Sequence, residues 1–149
     1  MPIQCDIVTQ ERTVFSAMVD AVNIPGTEGR LGILPNHTAL LTALDFGEVI
    51  IRKGDSQEFF AIGGGFAEIQ PDRVIILADS AEAAEEIDLE RAEEARVSAR
   101  KAMDEGVPED PARYQQIEAA LRRAQVRIDV SRKRTSRRRG TIADMAERE

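Results

Sequence analysis

With 149 residues and 42% hydrophobic content the chain can bury the core of one or two small domains, and a formal net charge of −7 weighs against a general binder of polyanions. The lone cysteine excludes an internal disulfide and a cysteine-based metal cluster, and no apolar run approaches the length of a bilayer span. The opening MPIQCDIVTQE is a strand pattern with an early acid, not a charged-then-apolar leader, so a cytoplasmic protein is expected. Ile3, Cys5 and Ile7 alternate with Gln4 and Asp6, the period of a half-buried strand, and Cys5 reads as a small packing residue. Val14 to Ile24 is a longer β-branched run ending at Pro25-Gly26. The stretch IPGTEGRLGILPNHTALLTAL, Ile24 to Leu44, turns sharply at Pro25-Gly26 and again near Gly29. Between the turns lies a short apolar strand, Leu31 to Leu34, closed by Pro35. It predicts a loop-strand-loop folded over a sheet edge.

Two hairpin signals follow. Glu48 to Lys53 and Glu58 to Ile62 flank Gly54-Asp55, and Phe66 to Gln70 and Val74 to Ala78 flank Pro71-Asp72. Strands at roughly ten-residue spacing with no helical period between them predict a sandwich or barrel, and the short connections predict antiparallel pairing. Gly63-Gly64-Gly65 lacks the Lys-Ser/Thr and the helix of a phosphate loop, so it reads as a bulge or a close backbone approach. His37, the only histidine, has no nucleophile or carboxylate pair beside it and reads as a loop residue bonded to local backbone. Asn36-His37-Thr38 spells a glycosylation acceptor, which has no meaning in a cytoplasmic protein.

After Ser80 the pattern changes. Ile87 to Glu105 are good helix formers, with Ala92, Ala95, Ala99 and Ala102 marking one face. Gly106 stops this helix, and Asp110-Pro111 starts the next, an N-cap followed by proline in the first turn. Ile117, Leu121, Ala124 and Ile128 then repeat at four-three-four, which predicts an antiparallel helical hairpin. An alanine face buries little area, so such a hairpin is weakly held. The fold class is therefore α+β: an N-terminal antiparallel β-sandwich or barrel over residues 1–84, a two-helix hairpin over 85–139, and a disordered charged tail over 140–149. Charge follows the same division. Residues 1–84 hold 5 basic and 12 acidic side chains, whereas 113–139 hold 10 basic against 2 acidic. A basic helix behind an acidic body suggests a segment that seeks an acidic surface.

The block GxLGILPNHxxLLTxL, carried by Gly29, Leu31, Gly32, Ile33, Leu34, Pro35, Asn36, His37, Leu40 and Leu41, resembles the signature of the epsilon subunits of bacterial F-type ATP synthases. Gly64-Gly65-Phe66, Val74, Ile76 and Leu77-Ala78 match further along, and only the tail from about Thr135 has no counterpart. The resemblance implies a non-catalytic subunit of the central stalk, peripheral on the cytoplasmic face of the bacterial plasma membrane and touching the membrane only through the complex. Its implied partners are the gamma subunit, the ring of c subunits, and the alpha and beta subunits. Gly32, Leu34, Pro35, Asn36 and His37 would meet the rotor, and Arg122, Arg132, Lys133 and Arg134 would dock on acidic catalytic subunits and inhibit ATP hydrolysis.

Ile87-Asp88-Leu89-Glu90-Arg91-Ala92 reads first as a helix start, with Asp88 as the N-cap. It also matches I/L-D-x-x-R-A, the ATP-binding motif of bacterial epsilon subunits. By that resemblance Ile87, Asp88, Arg91 and Ala92 join Glu82 upstream and Arg123 and Arg127 on the second helix. Carboxylates accept from adenine or ribose, and arginines pair with phosphate oxygens. A further arginine is expected on the first helix, where this chain has Ser98. No cofactor is required, and ATP is a regulatory ligand. The alternative function is a free-standing ATP-sensing module. A nucleic-acid binder built on the basic helix is disfavoured by the acidic total and the absence of interleaved aromatics.

Overall fold

A computed structural model describes residues 1–106 and 109–147, with side chains as far as Lys133. It contains two compact units, Met1–Ala83 and Ala84–Glu149. In the first, eight strands run in chain order: β1 (Ile3–Val8), β2 (Thr13–Val19), β3 (Ala21–Gly26), β4 (Gly29–Ile33), β5 (Leu40–Lys53), β6 (Ser56–Gln70), β7 (Arg73–Ala78) and β8 (Ala81–Ala83). They join laterally in the order β2-β1-β7-β6-β5-β3-β4, with β8 alongside β6. The long central strands β5 and β6 serve both layers of the sandwich. Leu40 to Leu44 pair with Gly65 to Ile69 beside β7, whereas Phe46 to Lys53 pair with Ser56 to Gly63 beside β3 and β8. The core between the layers is β-branched, with Ile3, Ile7, Ile24, Ile51, Ile69 and Ile76 among its fully buried residues, and Phe15 meets Phe60 edge-on at 5.4 Å.

The glycine triplet marks the change of layer. Gly65 has φ +124, and a Cβ there would strike the carbonyl oxygen of Leu77 on β7. Only glycine allows the two backbones to approach so closely. The triplet thus bends one continuous strand where the sequence pattern suggests two. The run Val14 to Ile24, by contrast, divides at Asp20, with β2 in one layer and β3 in the other. No glycine or proline announces this corner. It is pinned by hydrogen bonds, Asp20 N donating to Arg52 O at 2.9 Å and Gly54 N donating to Asp20 Oδ2 at 2.6 Å.

The expectation of purely antiparallel pairing is corrected at one place: β1 and β7 lie parallel, with Cys5 opposite Val74 and Ile7 opposite Ile76. Short connections enforce antiparallel pairing only between consecutive strands. β1 and β7 are distant in the chain and meet only because the β1–β2 hairpin adds to the free side of β7, so short loops place no constraint on that pair.

In the second unit a 3-10 turn (Ala84–Glu86) precedes α1 (Leu89–Asp104) and α2 (Pro111–Glu147). The two helices pack together, and α2 reaches back to the 3-10 turn, which fixes the antiparallel sense. Both predicted caps form. Asp88 Oδ1 accepts from Arg91 N at 3.2 Å, and Asp110 Oδ1 accepts from Ala112 N at 3.0 Å with Pro111 at the first helical position. α1 ends against Gly106, whose φ of +113 suits glycine alone. It buries only Ala92 and Ala99; Ala95 is exposed, because 92 and 99 lie on one helical line and 95 falls on its shoulder. The tail differs from expectation. The backbone stays helical through Glu147, where the sequence reading ends the hairpin at 139 and expects disorder from 140. Gly140 is the only breaker in that stretch, and a single glycine among arginines, alanines and glutamates costs about 1 kcal/mol, too little to end a helix.

Candidate functional sites

The signature segment forms a rim at one end of the sandwich. Ile33, the last residue of β4, is fully buried, and the chain then turns outward. Leu34 is 57% exposed and Leu41 70% exposed, so both are surface positions. Asn36 takes φ +67, tolerated by asparagine, and its N–H donates to Pro71 O at 2.7 Å. His37 Nδ1 donates to Thr38 O at 2.7 Å, as expected for a loop histidine. Gly32 lies on β4 opposite Asn23. The loop is thus pinned to the turn between β6 and β7 and presents Leu34 outward. A rim of apolar side chains on a fixed loop suits contact with another protein.

The residues expected to meet ATP fall in both units. Glu82 lies on β8 opposite Ala61 in the first, and Ile87, Asp88, Arg91, Ala92, Arg123 and Arg127 lie in the second. Ile87 and Ala92 are buried and serve packing. Asp88 spends one oxygen on its capping bond and holds the other 3.8 Å from Arg91 Nε, with the two side chains 55% and 82% exposed. An exposed pair of this kind is worth little in water and is easily exchanged for a ligand. Arg123 and Arg127 are one turn apart on α2, exposed and half-buried respectively. Ser98 is exposed on α1, seven residues from Arg91 and so on the same face. Arg122, Arg132 and Lys133 are exposed on α2, while Arg134 lies beyond the described side chains.

Among the described residues no group of three His, Cys, Asp or Glu could hold a metal ion, and no helix is long and apolar enough to cross a membrane. Burial, then the neighbouring Asp6 charge, pushes the Cys5 thiol up to about 12, which keeps it protonated and inert at neutral pH.

One surface went unread in the sequence. Register aligns Val8, Leu77, Phe66 and Ala43 in a row across four strands on the outer face of one layer. Phe66 is 56% and Leu77 54% exposed there. The available signal was that Phe66 shares its strand face with Glu68 and Gln70, an aromatic on the polar side of the alternation.

Comparison with known proteins accounts for nearly the whole chain. Residues 2–84 match the ATP synthase delta/epsilon chain β-sandwich domain, and residues 85–132 match the long α-helix domain of the same chain. The ATP synthase epsilon chain of Herpetosiphon aurantiacus is 53% identical over 138 residues, spanning 92% of this chain and 99% of that one. That of Dehalococcoides mccartyi strain BAV1 is 50% identical over 133 residues, spanning 89% and 94%. Among solved structures, a chain of the Euglena gracilis mitochondrial ATP synthase OSCP/F1/c-ring assembly superposes with a TM-score of 0.72 at 28% identity, covering 83% of this chain and 78% of that one. A chain of the Tetrahymena thermophila central stalk and c-ring shares the fold, with a TM-score of 0.63 at 13% identity, covering 88% and 97%.

Proposed function

The chain belongs to the delta/epsilon chain family of ATP synthases, and from that premise we propose that it works as a non-catalytic rotor subunit whose sandwich grips the stalk and whose helices restrain ATP hydrolysis. The sandwich binds the gamma subunit and the ring of c subunits through packing, with Gly32, Leu34, Pro35, Asn36 and His37 at the rim. The hairpin leaves its resting place and docks Arg122, Arg132, Lys133 and Arg134 on the alpha and beta subunits. The site of action is the cytoplasmic face of the bacterial plasma membrane, reached only through the complex.

One observation carries this reading: two separate compact units, each matched by its own domain of the family. The packing supports the division of labour. α1 contributes only two buried alanines to the hairpin, and a methyl group buries far less than the 1.5–3 kcal/mol of a large aliphatic side chain. A second surface of modest affinity would therefore suffice to open the helical pair. At 1.5 Å per residue α1 is about 24 Å long and α2 about 55 Å, so α2 has ample length beyond its partner helix to reach another subunit.

ATP, bound by Asp88, Arg91, Arg123 and Arg127, would favour whichever hairpin state holds it better. Ser98 in place of an arginine removes one phosphate partner and weakens that bias.

Truncation after Ala83, the end of the first unit, tests the regulatory role. The reconstituted synthase should still assemble and couple, while its ATP hydrolysis rises. Unchanged hydrolysis would remove the inhibitory function. Calorimetry tests the nucleotide: Arg91→Ala with Arg127→Ala should abolish any heat of ATP binding. Undiminished heat in that double variant would place the ligand elsewhere.

A further inference from the structure

Large apolar side chains that stay exposed on paired, well-ordered strands mark a surface awaiting a partner. Phe66 and Leu77 are such residues, adjacent in register on β6 and β7, with Val8 continuing the row on β1. The surroundings of the row give the partner its chemistry. Two residues further along the chain from Phe66, and two from Leu77 just past the end of β7, the neighbours change to acids on both sides of the row. Glu68 follows Phe66 on one flank, opposite Ile75. Asp79 follows Leu77 on the other, its carboxylate 3.0 Å from where a Gly64 Cβ would stand. Both are exposed. Arg73, the cation of β7, is directed to Asp6 at 3.6 Å and does not neutralise either flank.

We propose that this face docks an amphipathic helix of another subunit, its apolar stripe lying along Val8, Leu77 and Phe66 and its lysines or arginines reaching Glu68 and Asp79. The inference rests on the stalk reading above and adds to it the surface and the chemistry of the mate. Geometry favours a helix over an added strand. The row runs across four strands, about 14 Å at 4.8 Å spacing, and a helix of nine or ten residues spans that distance at 1.5 Å per residue. Charged positions on either side of a helix's apolar stripe stand several ångströms from its midline, which matches the two acidic flanks. An added strand would instead pair along a sheet edge and leave the row uncovered.

The test uses the full chain and the synthase complex of the same organism prepared without this subunit. The unaltered chain should rebind, and Phe66→Glu or Leu77→Glu should weaken rebinding by about 30-fold or more, as for the centre of an interface. Glu68→Lys with Asp79→Lys should weaken it by about tenfold and flatten its salt dependence. A photo-cross-linking residue at position 66 should capture a helical peptide of another subunit with basic residues flanking an apolar stripe. Rebinding unaffected by either apolar change would overturn the surface. Charge reversals without effect on affinity or salt response would overturn the cationic helix, as would capture of this chain's own α1 or α2. An unaltered chain that fails to rebind at all would overturn the stalk reading and this surface with it.

Discussion

The two units of this chain are stabilised in different ways. The sandwich fills its interior with isoleucine and valine from six or more strands, most of them fully buried. α1 buries only Ala92 and Ala99, and the large buried side chains of α2, Ile128 and Val130, come late on that helix. β-Branched side chains on pleated strands interdigitate into a core that resists deformation, whereas an alanine seam allows close approach but contributes little free energy. A rigid sandwich and a loosely packed pair of helices are the expected result. The difference also separates the surfaces. Contact on the sandwich can be made without rearrangement, while contact through the hairpin must compete with a modest internal interface.

The contrast can be broken or sharpened by substitution, and the largest effect is expected in the sandwich core. Ile76→Ala should cost about 3–4 kcal/mol and lower its Tm by more than about 10 °C, in the full chain and in the 1–83 fragment alike. A loss that differed between the two would mean that the helices contribute to the sandwich's stability. Next, Ile128→Ala should cost the hairpin about 2–3 kcal/mol, seen as faster amide exchange in α1 and α2 with the strands unchanged. Accelerated exchange throughout the strands would show that the units unfold together.

Cys5 gives a smaller, pH-dependent signal confined to the sandwich. Folding holds its pKa at about 12 against an ordinary 9.0, so the native state favours the neutral thiol. The resulting stabilisation is complete below pH 9 and is lost as pH rises from there toward 12. At pH 8, alkylation of Cys5 should be at least about 100-fold slower than that of a cysteine placed at Val97→Cys, which is exposed on α1. Comparable rates would mean that the sandwich opens as readily as the helices. The smallest effect belongs to the rim: Leu41→Lys should change stability by no more than about 0.5 kcal/mol, since the side chain is already in water. A thermal shift of several degrees there would show that Leu41 packs against something after all.

Most of the local structure was written in local chemistry. Asp88, Gly106, Asp110 and Pro111 mark helix ends by mechanisms confined to a few residues, and the structure places all four as that chemistry requires. Gly54-Asp55 fixed one hairpin and Pro71-Asp72 another in the same way. The alternation of Ile3, Cys5 and Ile7 identified the buried face of β1. The motif residues at 87–92 were legible as a capped helix start, and the rim from Gly32 to His37 as a loop with a fixed shape.

What the sequence could not decide depends on residues far apart in the chain. The parallel contact of β1 with β7 joins strands from opposite ends of the sandwich sequence, which no local pattern encodes. The corner at Asp20 is held by a hydrogen bond to Gly54, thirty-four residues away. The row of Val8, Phe66 and Leu77 exists only because three strands align in register, so a surface built from single exposed residues of separate segments stayed invisible until the strands were paired. Periodicity and caps report what a residue's neighbours in the chain require, and they established the two-part α+β organisation. Register and strand order are decided by the energy of the assembled core, and that energy placed the outer face.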